Sequence, residues 1–266
     1  MTTIEIARSV KIGYNTELSM DAQLYDEQGI ELFYRNVTII LDDETSTGLI
    51  DNNEGMLYLT LSDLSMGKHT LILQNPVTLE ESVSIINVVS RFSGNSNVDM
   101  FYGDGSSFKV RVYGNNGNPV GANQIVTIKL NKATYKVKTN SNGYAILSIP
   151  NTIKVGTYTL TATYAGQTIK NTVKVKQVLK LAKVTVKKSA SKLVIKATLK
   201  GKTPLKGKKL TFKFNGKTYT AKTDKNGIAK ITINKSVLNK LKVGKTVTYQ
   251  VTYLKDTVKQ SVKVKK

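Results

Sequence analysis

Apolar residues occupy every second position in short runs along the whole chain, and glycine- or asparagine-bearing turns separate the runs. Early in the chain Val37, Ile39 and Leu41 share a face, followed by Leu57, Leu59 and Leu61, then Leu71 and Leu73. In the middle Phe108, Val110 and Val112 alternate with Lys109 and Arg111. Val126, Ile128 and Leu130, then Ala145, Leu147 and Ile149, then Tyr158, Leu160, Ala162 and Tyr164 follow in the same period. Late in the chain the runs are Leu193 to Leu199, Leu210 to Phe214, Val247 to Tyr253 and Val258 to Val264. Period-two alternation bounded by turn residues predicts half-buried strands. About seven such strands per repeat predict two-sheet antiparallel sandwiches. Only Lys235 to Leu241 reads as helical, and only as a short turn.

The pattern recurs three times. A turn ending in glycine opens one strand of each copy: Asp51 to Gly55, Asn140 to Gly143 and Asp224 to Gly227, with the glycines 88 and 84 residues apart. A second glycine precedes a later strand at Gly67, Gly156 and Gly244, at spacings of 89 and 88. A fixed long period of turn glycines predicts a tandem array of like modules. The expected domains are 1–92, 93–177 and 178–266. Polar Ser93-Gly94-Asn95-Ser96-Asn97 predicts a flexible first joint. Lys176 to Leu181 holds no flexible residue and predicts a stiffer second one. End to end, three such sandwiches predict a rod of roughly 100 Å, at about 3.3 Å per strand residue.

Charge sharpens the division. Residues 1–92 hold 14 acidic and 5 basic residues, a net of −9; residues 93–177 hold 2 and 10, a net of +8; residues 178–266 hold 2 and 25, a net of +23. All 25 of those basic residues are lysine. Such asymmetry bears on partners and association rates, and not on fold. The chain has no cysteine, which fits an intracellular protein or a surface protein of an anaerobe. No apolar run reaches the length of a membrane span, and the first ten residues contain no apolar signal core. A secreted parent would therefore be longer than this chain, whereas a virion protein would need no signal.

The residues that punctuate the second and third repeats carry a resemblance. Arg91 to Asn95, Met100 to Gly105, Gly117 to Val120, Thr139 to Ala145 and Val155 to Leu160 resemble the immunoglobulin-like modules of methanogen adhesin-like proteins. Phe214 to Tyr219 and Thr223 to Ala229 continue the resemblance, and the bacterial modules of invasin and intimin type share its layout. It covers 91–266 well, while 1–90 keeps only an outline in Asn36 to Ile39 and Gly67 to Leu71. The resemblance implies an all-β chain of three tandem immunoglobulin-like antiparallel sandwiches. It further implies a non-enzymatic protein of an extracellular archaeal surface, or the receptor-binding fibre of an archaeal virus.

Catalytic and metal chemistry lack their residue types. His69 is the single histidine, two residues after a repeat glycine, where a packing role is expected. Zinc is disfavoured with no cysteine and one histidine. Paired-carboxylate hydrolysis has only Asp99, Asp104, Asp224 and Asp256 to draw on beyond residue 92. Asp42, Asp43 and Glu44, with Asp51, Asn52, Asn53 and Glu54, offer oxygens for a calcium ion but fit no known loop spacing. A Lys–Asn cross-link would need one of the four later aspartates buried beside the pair. No cofactor is expected. Asn36-Val37-Thr38 and Asn234-Lys235-Ser236 are acceptor sites for a glycan if the protein is exported.

The lysines of 178–266 either form a solvated coat that discourages strand pairing or contact a polyanion. Their candidate contact residues are Lys206, Lys208 and Lys209. Nucleic acid is disfavoured, because the segment has no arginine and its Tyr249 and Tyr253 fall on the core face. An anionic wall polymer, or a surface glycan or protein of another cell, suits the hydrated point charge of lysine better. A spacer without a ligand is the remaining reading. The acidic, diverged first segment is expected to meet the partner while the basic third segment lies on an anionic surface.

Overall fold

A computed structural model describes residues 2–51 and 54–266. The architecture is all-β, with three sheet pairs, each a three-stranded sheet against a five-stranded one. In the first set the smaller sheet runs Ile4–Glu5, Leu18–Leu24, Met56–Leu61. The larger runs Ser9–Gly13, Glu81–Val89, Gly67–Gln74, Asn36–Leu41, Glu44–Leu49. The third set repeats this order: Leu179–Leu181, Lys192–Leu199, Ile228–Asn234 in one sheet, and Val186–Lys187, Asp256–Lys265, Thr246–Tyr253, Lys209–Phe214, Lys217–Lys222 in the other. The middle set, Phe92–Ser93 to Gln167–Lys176, has the same two sheet orders.

Each set opens with a strand that breaks and changes sheets. Its first piece pairs antiparallel in the small sheet, Ile4 opposite Leu24 and Leu179 opposite Leu199. Its second piece runs parallel to the last strand, Ser9 beside Ile85, Val98 beside Val173 and Val186 beside Val264. The break raises the count to eight strands per set, where alternation predicts seven. It also relocates the expected first joint. Ser93 to Asn97 joins the two pieces of one opening strand, Phe92–Ser93 and Val98–Phe101, so it is an internal crossing. Chain passes between strand sets at Ser90-Arg91 and again at Gln177-Val178.

The chain forms two compact units, residues 1–96, 109–147 and 160–171 in one and 97–108, 148–159 and 172–266 in the other. In the first, Ala22, Leu24, Val37, Ile50, Leu57, Leu71, Leu73 and Ile86 form one core between the facing sheets. In the second, Ile195, Ala197, Leu199, Leu210, Phe212, Phe214, Ala229, Ile231, Val247, Tyr249 and Val251 are buried. These are the alternating apolar positions of the sequence. The helix is one turn, Lys235–Leu238, and its Leu238 is buried.

Turn geometry accounts for the repeat glycines. In the third set the Asp224 carboxylate accepts the backbone N–H of Asn226 and of Ile228, both at 2.9 Å. Asn140 holds Asn142 and Tyr144 in the same way, and Asp51 holds Glu54 and Met56. Gly227 then sits at φ +72°, where a Cβ would lie 2.4 Å from the Leu199 carbonyl oxygen. No other residue fits there. The strand Glu44–Leu49 and its counterparts Ala133–Lys138 and Lys217–Lys222 form the outer edges of the large sheets. They are entered by left-handed hairpin tips at Asp42-Asp43, Asn131-Lys132 and Asn215-Gly216.

Candidate functional site

His69 occupies the third position of Gly67–Gln74 and is buried, as its packing position predicts. The structure adds polar partners that the spacing did not show. Nδ1 meets the Asp42 carboxylate, Nε2 lies 2.8 Å from the Ser65 carbonyl oxygen, and the Ser65 hydroxyl is 3.5 Å away. Serine, histidine and aspartate thus come together, but without the geometry of a relay: Nε2 lies nearer the Ser65 carbonyl oxygen than the Ser65 hydroxyl, and Nδ1 is taken by Asp42. The Ser65 carbonyl, with the Asp42 carboxylate in support, raises the His69 pKa against the opposing effect of burial. The Thr70 amide and His69 hold Asp42 below its ordinary value. The group is a clasp between a hairpin tip and a strand end.

Of the acidic residues grouped for calcium, Glu54 accepts from the Tyr58 hydroxyl, and Asp42 and Asp51 are engaged by backbone and side-chain donors. Asp42 accepts from Thr70 and His69, Asp51 from Glu54 and Met56. Asn52 and Asn53, part of the calcium grouping, lie outside the described residues. Among the described residues no three His, Cys, Asp or Glu side chains converge as a metal site. Of the four aspartates weighed for a cross-link, Asp104 and Asp224 cap turns and Asp99 pairs with Lys176 at 2.7 Å. Asp256 is the one drawn inward, and burial raises its pKa. Its Oδ2 is buried without a hydrogen-bond partner, and among the described residues no lysine or asparagine side chain bonds to it.

Arg91 is the functional residue that the pattern concealed. It is 1% exposed, and no carboxylate among the described residues pairs with it. Its guanidinium instead donates to the Tyr14 carbonyl at 2.6 Å, the Thr16 hydroxyl at 2.7 Å, the Asn115 side chain at 2.9 Å and the Tyr113 carbonyl at 3.4 Å. Gly13 makes room for it: a Cβ there would stand 2.5 Å from the guanidinium. Gln167 accepts from the Arg91 amide at 2.6 Å. Four neutral acceptors replace the water that a buried cation loses, and they tie the turn after Ser9–Gly13 to the loop after Ser107–Val112.

In the first unit Asn75, fully buried, donates to the carbonyls of Thr3 and Tyr25 and accepts from the amides of Val77 and Thr78. All four of its hydrogen-bonding positions are used. It fixes a loop that presents Val77 and Leu79 to solvent, Leu79 at 68% exposure with φ +63°. Ile30 and Tyr34, the latter at φ +52°, are also exposed in this segment. Bulky residues seldom adopt such angles, so these loops hold apolar side chains outward in a defined conformation.

The lysines of 178–266 are exposed, and among the described residues none forms an ion pair with a carboxylate. Lys206, Lys208 and Lys209 are all exposed, yet the structure does not bring the three to one place. Lys209 lies on the outer sheet face opposite Lys222, and Lys206 stands in the preceding turn. Lys208 lines a cleft of about 560 Å³ in the second unit, together with Lys176 and Lys202. Buried Thr223 positions it, donating to the Leu205 carbonyl at 2.6 Å and accepting from the Lys208 amide at 2.9 Å. The cleft floor is Tyr102 and Tyr253, edge to face at 6.5 Å, with the Lys255 amide donating to the Tyr102 hydroxyl at 2.9 Å. One wall is the Phe101 to Ser106 turn. Asp104 pins it, accepting from the Phe101 amide and from the amide and hydroxyl of Ser106. Lys176 and Lys202 escaped a reading centred on 206–209. The available signal was Phe101-Tyr102-Gly103-Asp104-Gly105, an aromatic pair and an aspartate between glycines in a segment with one other acid.

An opening strand divided between two sheets, its second piece parallel to the last strand, defines an immunoglobulin-like sandwich protein. No family model matches the chain, and no curated protein matches it. Solved structures with which it aligns include the I9–I11 tandem of titin, at 12% identity and TM-score 0.45 over 98% of this chain and 99% of that one. A Ca²⁺-stabilised adhesin that helps an Antarctic bacterium reach out and bind ice aligns at 14% and 0.31, over 100% and 74%. The complex of Dpr2 Ig1–Ig2 with DIP-Theta Ig1–Ig3 aligns at 10% and 0.30, over 99% of each chain. The sheet orders, and not these likenesses, fix the class.

Proposed function

We propose that this chain is a non-enzymatic surface protein for adhesion or display, built from three immunoglobulin-like domains at 1–92, 93–177 and 178–266. Its lysine-rich segment docks on an anionic wall polymer or surface glycan, while the acidic segment presents loops to a second partner. The observation that carries this reading is the set of 25 lysines in 178–266, none of which has a carboxylate partner among the described residues. Paired lysines would be structural; unpaired ones on an outer surface leave their field to a polyanion. The loop that Asn75 fixes, with Val77 and Leu79 exposed, supports the second half. The described helix is far too short and polar to cross a membrane. The resemblance of 91–266 to methanogen adhesin-like modules supports a setting at the surface of an archaeal cell or virion.

Retention of the full chain on an immobilised anionic polysaccharide and on its neutral analogue tests the reading. At low salt the anionic matrix should retain the protein and the neutral one should not. Replacing Lys206, Lys208 and Lys209 by glutamate should weaken retention, and raising salt until the Debye length falls below about 8 Å should abolish most of it. Equal retention on both matrices would overturn the proposal.

A further inference from the structure

We propose that the cleft containing Lys202 and Lys208 binds one carboxylated sugar residue, a uronate within an anionic polysaccharide. This inference rests on the anionic-partner reading and narrows it from a diffuse field to a built site. Size permits it, since about 560 Å³ falls in the range of about 300–1,000 Å³ common for small-ligand clefts. The cleft is also preorganised on both sides. Asp104 fixes the Phe101 to Ser106 turn, while the opposite wall is held by the Gly201 amide on the Thr203 carbonyl and the Leu205 amide on the Leu199 carbonyl. Little ordering therefore remains to be done on binding.

The chemistry of the walls selects the ligand. Lys202 and Lys208 carry no carboxylate partner and offer ammonium donors to an anion. The Thr203 hydroxyl, and the Asp99 oxygen that Lys176 leaves free when it pairs with the other at 2.7 Å, offer partners for sugar hydroxyls, which both donate and accept. The Phe101 ring supplies an apolar wall for the C–H face of a pyranose. A phosphodiester chain has only acceptors along its backbone and would leave the free Asp99 oxygen without a donor. Uronate carboxylate on Lys202 and Lys208, with a hydroxyl on the free Asp99 oxygen, gives each group a partner.

The test uses the full chain in calorimetric titration with a uronate trisaccharide, its neutral counterpart and a short single-stranded oligonucleotide. Two double variants are compared: Lys202→Gln with Lys208→Gln in the cleft, and Lys259→Gln with Lys263→Gln on a strand outside it. Both remove the same charge from exposed positions. The cleft variant should lose about tenfold or more in uronate affinity, as expected for a lost charge-assisted hydrogen bond, and the strand variant less than about twofold. The neutral sugar should not bind. Equal losses in the two variants, or no uronate binding, would overturn the cleft while leaving polymer retention intact. Tighter binding of the oligonucleotide would overturn the sugar assignment. Loss of polymer retention with the trisaccharide still bound would remove the broader reading and keep the site.

Discussion

At the scale of single residues, the chain uses a few polar side chains and glycines to fix loops that the apolar alternation leaves open. Gly227 and Gly216 separate two reasons for glycine. Both have left-handed φ, +72° and +83°, but only at Gly227 would a Cβ strike backbone. Gly216→Ala should therefore cost about 1 kcal/mol for the angle alone, and Gly227→Ala about 3 kcal/mol because the Leu199 carbonyl must also move. Denaturant titration of the two full-length variants measures the difference; equal losses would contradict the geometry. The His69–Asp42 clasp makes a pH prediction. His69 is raised above its unfolded value, so its contribution is full below about pH 6.5 and fades as pH rises through the folded pKa. Asp42 is lowered, so its contribution is full above about pH 4 and fades as pH falls through the folded pKa. The Tm of the first segment should thus peak between those values and decline on both sides. His69→Gln should remove the alkaline decline, and an unchanged profile would show that the clasp adds nothing.

At the scale of elements, strands with one alternating apolar face were legible, while the outer strands of the large sheets and the short crossing pieces were not. Leu210, Phe212 and Phe214 announce a strand because every second residue is core. Glu44-Thr45-Ser46-Thr47-Gly48-Leu49 has no apolar face, because an outer strand whose side chains are nearly all exposed has no core to contact. The broken opening strands are too short for alternation to register, which is why Ser93 to Asn97 reads as a linker when its ends pair in two different sheets. Arg91 hid for a different reason: burial of a lone arginine depends on acceptors 75 residues back and 24 residues ahead. Of the cleft, only Lys208 was anticipated, since its other members converge through the fold. Arg91→Lys tests the joint. One ammonium cannot serve four acceptors arranged around a planar fork, so this charge-preserving change should destabilise by about 1–3 kcal/mol. Hydrogen exchange should quicken first at the Gly13 amide, which donates to the Asn115 carbonyl. Unchanged protection there would mean the clasp does not hold the joint.

At the scale of the whole molecule, net charge rises from −9 through +8 to +23 along the three segments, and the docking proposal turns that gradient into an orientation. If 178–266 is a domain in its own right, as its complete strand set predicts, the isolated segment should melt cooperatively; a featureless melt would instead tie its stability to the preceding strands. Lysine-reactivity footprinting of the full chain, free and bound to anionic wall polymer, bears most directly on the central claim. Bound polymer should shield the lysines of 178–266, Lys202 and Lys208 foremost, while Lys11 and Lys68 in the acidic segment keep their full reactivity. Shielding spread evenly along the chain, or concentrated at Lys11 and Lys68, would contradict the account.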